Sequence, residues 1–179
     1  MAKAAATLYS GMLARTGRLP ALTLRLYSVF GPWEDPRRFV PRLVASGLEG
    51  RLPPLATAGA AHDFVWIDDV VDALVAAARR APEAPAGAVY NVGTGRQVTL
   101  AEAVEAARRV LGVEAEPVWG SAPSRDWDAT VWRADPARST AELGWTAATR
   151  FDTGLERMAV WLRDTPAVAR LYGLRGAVA

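Results

Sequence analysis

A chain of 179 residues with 51% apolar composition can bury one sizeable core or two small lobes, and its 21 basic and 19 acidic residues leave a net charge of only +2. The arginines form isolated pairs (Arg37-Arg38, Arg79-Arg80, Arg108-Arg109) without a basic block, which argues against a nucleic-acid surface. With no cysteine, no apolar run near the roughly 18 residues of a membrane span and no basic-then-apolar leader pattern, disulfides, thiolate metal sites and a membrane partner are excluded and a cytoplasmic protein is expected.

Residues 2 to 16 suit a helix, since Ala4, Ala5, Leu8, Met12 and Leu13 recur at three- and four-residue spacing and Gly17 is placed to end it. Its start is unfavourable, with no capping residue before Lys3 and a cation at the positive end of the dipole, as expected where a chain is cut inside a helix. Residues 22 to 30 are mostly β-branched, aromatic or leucine with little alternation, which predicts a strand buried on both faces of a parallel sheet and stopped by Gly31-Pro32. Ligands collect beyond the carboxyl ends of such strands, so Tyr27 to Pro32 is the first place to expect a site.

After a loop from Trp33 to Arg38, Phe39, Val40, Leu43 and Val44 mark one face of a helix closed by Gly47 or Gly50, and Pro53-Pro54 then imposes an extended path. Phe64 to Ile67 reads as a short strand running into Asp68-Asp69, either of which is expected to cap a helix carrying Val70, Val71, Leu74, Val75 and Ala78. Val89 to Val92 is the next strand, Gly93-Thr94-Gly95 turns the chain, and Thr99 with Glu102 forms a capping box for a helix reaching about Leu111. Glu116 to Trp119 is expected to form a strand and Ser121 to Trp132 a polar loop. Asp135-Pro136 begins a helix that ends at Leu143-Gly144, and Asp152 to Asp164 forms a last amphipathic helix with Leu155, Met158, Ala159 and Leu162 inward. There is no internal repeat, and residues 174 to 179 read as a loose tail.

Single motifs carry little chemistry. Gly93-Thr94-Gly95 lacks the third glycine and the early position of a dinucleotide fingerprint and is better read as a structural turn. His62 is the only histidine, so no histidine pair exists for a metal. Asp63, Asp68 and Asp69 could form a carboxylate pair or a cation site, but caps and loop hydrogen bonds explain them more economically, and no nucleophile elbow is present. The residues alone support a soluble α/β domain with a site at one strand end.

The order of the motifs adds a resemblance. Lys3 to Ala6, then Leu24-Arg25-Leu26-Tyr27-Ser28-Val29-Phe30-Gly31-Pro32, His62 to Asp69, Tyr90 to Gly95, and Arg133 to Arg138 with Leu143-Gly144-Trp145 together resemble the extended short-chain dehydrogenase/reductases, closest to the nucleotide-sugar epimerases and dehydratases. The resemblance covers residues 1 to about 165 in the family's order. It implies an α/β fold, the C-terminal part of a Rossmann-like parallel sheet plus a small α+β substrate-binding lobe. Residues 1–32 and 62–112 would form the partial Rossmann-like half, residues 33–61 and 113–173 the substrate-binding lobe, and residues 174–179 the tail.

Residue by residue, the resemblance implies that Lys3 is the lysine of a Tyr-x-x-x-Lys pair, binding the nicotinamide ribose and lowering the pKa of an acid/base tyrosine that would lie before residue 1. Tyr27, Ser28 and Val29 would face the nicotinamide of NAD or NADP. Ser28 stands where the family usually has an asparagine against the sugar diphosphate, and His62 replaces a usual arginine there, losing a permanent bidentate cation. Arg125 matches a second phosphate-binding arginine. Leu55 and Ala56 fall where backbone groups hold the nucleotide base, and Val40 lies on the helix bordering that pocket. The family's Gly-x-x-Gly-x-x-Gly turn and catalytic tyrosine are not in this sequence, so the expectation is a C-terminal half, the nucleotide-diphosphate-sugar-binding part of an epimerase or dehydratase, inactive alone. The alternative is a non-catalytic sugar-nucleotide-binding or structural module, or one subunit of a split enzyme. The strand at Leu22 to Phe30 would then present an apolar edge, so self-association as a homo-oligomer or a complementary N-terminal half is expected.

Overall fold

The computed structural model describes residues 2–123 and 129–174. Its first helix, α1 (Ala2–Arg15), turns Gly11 and Ala14 inward, and Gly17 closes it at φ 69°. Leu8, Tyr9 and Met12 of this helix are exposed.

The apolar run that follows is two strands where one was expected: β1 (Thr23–Leu26) and β2 (Ser28–Phe30), divided at Tyr27. The cause is a change of partner. The Tyr27 amide still donates to the Val92 carbonyl at 3.0 Å, whereas the Ser28 amide donates to the Asp63 carbonyl at 3.0 Å and the Val29 amide turns back to Tyr27 O at 2.9 Å. Among the described residues four further strands follow: β3 (Ala61–His62), β4 (Phe64–Trp66), β5 (Val89–Val92) and β6 (Val98–Thr99). Strand β1 runs parallel to β5 with Leu24 opposite Tyr90, β2 runs parallel to β4 with Val29 opposite Val65, and β3 runs antiparallel to β6. The expected burial on both faces does not hold for β1. Arg25 and Leu26 are exposed, and among the described residues β1 pairs along one edge only.

The main core lies where α2 (Phe39–Leu48), α4 (Leu100–Leu111) and α5 (Phe151–Asp164) meet. Leu43, Val44, Val104, Leu155, Met158 and Leu162 are fully enclosed there, each worth about 1.5–3 kcal/mol of transfer free energy. Rings fix the geometry of its sheet side: Phe30 meets Trp66 at 5.4 Å and 72°, and Phe64 stacks on Phe151 at 4.9 Å. Helix α5 comes this close because residue 154 is glycine; a Cβ there would stand 2.6 Å from Phe30 Cε2 and 3.1 Å from Trp66 Cε3. A smaller cluster of Val65, Val70, Ala73, Val92 and Trp145 packs α3 (Ile67–Arg80) onto the parallel strands.

The aspartates expected to cap α3 do not. Its N-cap is Trp66, because β4 runs into the helix without an intervening residue, and Asp68 and Asp69 lie inside the first turn. They still sit at the positive end of the dipole, with Asp68 accepting from Trp66 Nε1 at 2.9 Å and Asp69 from the Thr149 amide at 2.9 Å. Helix α4 has the predicted capping box: the Glu102 amide donates to Thr99 Oγ1 at 3.1 Å, and the Thr99 amide to Glu102 Oε2 at 2.7 Å.

No strand forms at 116–119. Pro117 has no amide to donate and Gly120 turns the chain at φ 76°, so the backbone bonds in this part come from Gly120 and Ala122, to Ala56 O and Leu55 O. The Asp135-Pro136 start is present, with Asp135 Oδ1 accepting from the Ala137 amide at 3.0 Å, but the turn widens into a π-helix over Ser139–Leu143 before Gly144. The Ser139 hydroxyl donates to the Asn91 carbonyl there, tying this turn to β5. A short helix α6 (Pro166–Ala169) and a 3₁₀ turn (Arg170–Tyr172) follow. Leu174, placed in the tail by the sequence, is buried in the core; the rest of the expected tail lies outside the described residues. Among the described residues no helix is long and apolar enough to cross a membrane.

Candidate functional site

The strand switch at Tyr27 determines what can assemble beyond it. Once Ser28 pairs with the Asp63 carbonyl, its side chain and that of His62 come together, and Ser28 Oγ lies 3.2 Å from His62 Nδ1 although the residues are 34 apart in sequence. The His62 ring also rests against Phe64 at 5.4 Å, and the Tyr27 ring tilts toward Trp132 at 6.1 Å. Val29 is half-buried beside them.

Val40 and Leu55, each 2% exposed, bury their side chains in the main core, in the same cluster as Phe64. The backbone around Leu55 is largely engaged within the chain. Its amide donates to Ser121 Oγ at 3.0 Å, its carbonyl accepts from the Ala122 amide at 3.0 Å, and Ala56 O accepts from Gly120 N at 3.0 Å. Among the described residues this leaves the Ala56 amide as the uncommitted donor of the pair. Lys3 stands exposed in the first turn of α1, and among the described residues no hydrogen bond or ion pair joins its ammonium to the strand-end group. Arg125 lies outside the described residues.

Asp63 has a structural role. It is wholly buried, and its carboxylate accepts from the Thr94 amide (2.8 Å), Thr94 Oγ1 (2.7 Å), Gly95 N (3.0 Å) and Ala134 N (3.0 Å). The Thr94 and Gly95 amides of this turn are therefore committed to an internal anion and not free to cradle a phosphate. Gly93 is required for the approach, since a Cβ there would lie 2.6 Å from Ala134 Cβ and 3.1 Å from Asp63 Oδ2. Among the described residues no group of three or more His, Asp or Glu side chains could hold a metal ion.

Glu34, one turn beyond the strand end, gave no signal in the sequence. Burial pushes its carboxyl up to about 7 in spite of the Arg38 guanidinium, whose Nε lies 2.7 Å from Oε1, and Oε2 is enclosed without a partner. The Tyr172 hydroxyl donates to the Glu34 carbonyl at 2.7 Å, and the preceding Trp33 takes a left-handed φ of 68°.

Two concavities are lined by neither Ser28 nor His62. One, of about 610 Å³, opens between the 94–98 loop, α4 and the segment leading into α5. The other, of about 420 Å³, is an apolar groove along the unpaired side of β1, lined by Leu22, Leu24, Leu26, Leu74, Ala77 and Ala78.

Comparison with known proteins gives this arrangement its context. A family model described as NAD dependent epimerase/dehydratase family matches residues 1–93. UDP-glucose 4-epimerase of Thermotoga maritima, solved with UDP-glucose, is 27% identical and superposes with a TM-score of 0.80 over 92% of this chain and 53% of its own. The Bordetella bronchiseptica enzyme WbmF, solved with NAD+ and UDP, is 26% identical with a TM-score of 0.77 over 93% and 52% of the two chains. A dTDP-L-rhamnose 4-epimerase of Burkholderia thailandensis is 29% identical over 81% of this chain and 40% of its own. The chain thus spans about half the length of the solved relatives.

Proposed function

The chain belongs to the NAD dependent epimerase/dehydratase family, and from that premise we propose that it is the substrate-binding half of an NAD(P)-dependent nucleotide-sugar epimerase or dehydratase. The observation that carries this reading is the Ser28–His62 contact at 3.2 Å, beyond the carboxyl end of the parallel strand β1. Such strand ends are where open α/β sheets receive nucleotides. The relatives solved with UDP-glucose and with UDP support a uridine-type sugar nucleotide as the first ligand to test.

In this reading His62 and Arg125 meet the diphosphate, the Ala56 amide and the Leu55 backbone meet the base, and Val40 shapes the pocket from α2. The imidazole does not supply the permanent bidentate cation of an arginine, so diphosphate affinity rests more heavily on Arg125. Residues 1–32 and 62–112 form the partial Rossmann-like half, and residues 33–61 and 113–173 the substrate lobe. The strand end fits one wall of a nicotinamide site. Tyr27, Ser28 and Val29 would face the ring, with Lys3 reaching the ribose, and the cofactor when bound supplies the hydride chemistry. Lys3, an exposed ammonium free of carboxylate partners among the described residues, is available for that contact.

The groove along β1 supports a requirement for a partner surface, either a complementary N-terminal half or a second copy of the chain. Parallel pairing consumes the Thr23 and Tyr27 amides on Ala88 and Val92, so alternation aims those of Leu24 and Leu26 at the other edge, between apolar side chains. A clean monomer in sedimentation velocity with a cooperative melt would contradict that requirement. The ligand reading is tested by calorimetry with UDP-glucose and dTDP-glucose. Saturable heat that weakens about tenfold in His62→Ala is the expected result, from loss of one charge-assisted or hydrogen-bonded phosphate contact of about 1.4 kcal/mol. Absence of heat with both sugar nucleotides overturns the reading.

A further inference from the structure

We infer that the cleft between the 94–98 loop and the start of α5 is a second binding site, built for a small nucleoside phosphate and separate from the Ser28–His62 wall. Its volume of about 610 Å³ lies within the few hundred to a thousand Å³ of small-ligand pockets. Its lining joins two chemistries. Phe64 and Phe151, stacked at 4.9 Å, give it an aromatic side, and Arg96, Arg109 and Arg150 bring cations to the rest.

The acids in the same lining are already committed. Glu102 is held in the capping box by the amide and hydroxyl of Thr99, the same bonds that keep its carboxyl below its ordinary range. Asp152 accepts from Arg150 Nε at 3.2 Å and from the Thr153 amide at 3.0 Å. Among the described residues no carboxylate pairs with Arg96 or Arg109. The cleft therefore offers two guanidiniums without a carboxylate partner among the described residues, which favour a phosphate over a neutral sugar because each planar fork can donate two charge-assisted hydrogen bonds to phosphate oxygens. The aromatic side favours a flat ring attached to that phosphate. The site does not depend on the sugar-nucleotide reading: neither Ser28 nor His62 lines it, and the arginines that would hold the phosphate take no part in the strand-end group, although Phe64 borders both.

The test uses the full chain, amide-resolved NMR, and inorganic phosphate and adenosine monophosphate as probes at low salt. The expected result is saturable shifts in residues 94–98 and 146–149, with the monophosphate binding more tightly than phosphate. Arg96→Ala and Arg109→Ala should each weaken binding about tenfold, the effect of one charge-assisted contact, and leave any UDP-glucose heat unchanged. Both arginines are exposed and, among the described residues, free of carboxylate partners, so these variants keep the parent melt, which is verified first. Three results overturn the proposal: no shifts in these segments, shifts that neither variant weakens, or equal affinity for phosphate and the monophosphate.

Discussion

Replacing Asp63 by asparagine tests the packing behind the strand end with an almost isosteric change. In the native chain Oδ1 serves the Thr94 amide and hydroxyl, and Oδ2 serves the Gly95 and Ala134 amides. Asparagine keeps one acceptor and turns the other into a donor. If its nitrogen faces Gly95 and Ala134, two buried amides are orphaned, at about 1–3 kcal/mol each. If it faces Thr94, the hydroxyl can rotate to accept and only one amide is orphaned, so the side chain flips to this cheaper arrangement. With the loss of charge-assisted bonding, the expected destabilisation of Asp63→Asn is about 2–4 kcal/mol, and Asp63→Ala, which orphans every donor and opens a void, costs more. Urea unfolding followed by tryptophan fluorescence reads this as a lower midpoint with an unchanged slope. Asp68→Asn is the control, since that residue is exposed and among the described residues its carboxylate accepts only from Trp66 Nε1, and it should shift stability by less than about 1 kcal/mol. An Asp63→Asn variant within about 0.5 kcal/mol of the parent would refute the role assigned to this carboxylate.

Other outcomes follow from the same packing. Gly154→Ala drives a methyl into Phe30 and Trp66 and should cost about 1–3 kcal/mol in chemical denaturation, with changed near-ultraviolet signals from the aromatic cluster. Thr99→Ala removes the capping-box hydroxyl of α4 and should lower stability by about 1 kcal/mol, measurable by the same unfolding experiment. Glu34 holds its proton in the fold up to about pH 7 but loses it near its ordinary value of 4.5 when unfolded, so its contribution is complete below that value and is lost as pH rises through 7. After allowance for its partial solvent contact this amounts to roughly 2 kcal/mol, and Glu34→Gln should flatten the fall in stability between pH 5 and 8 by that amount.

What could be read from the sequence was whatever local chemistry decides. The helices declared themselves through apolar spacing and through terminal residues such as Thr99, Glu102 and Gly17, whose roles depend on neighbours within one turn. The break at Tyr27 was not legible, because it arises when the chain leaves β5 for β4, and both partners are distant in sequence. The same holds for Asp63, whose donors come from residues 94, 95 and 134, and for the Ser28–His62 contact. Asp68 and Asp69 were misassigned as caps because an N-cap is fixed by where the preceding strand stops, and β4 extends to Trp66. Glu34 looks like any loop carboxylate until the fold encloses it.

Receipt of a sugar nucleotide beyond the carboxyl end of β1, where the chain passes into β2, is tested by titrating isotopically labelled protein with UDP-glucose and following each backbone amide. Saturable shifts concentrated at Tyr27 to Val29, Leu55, Ala56 and His62, diminished in His62→Ala, are the expected result. Shifts absent from those residues, or confined to residues 94–98 and 146–149, would contradict it.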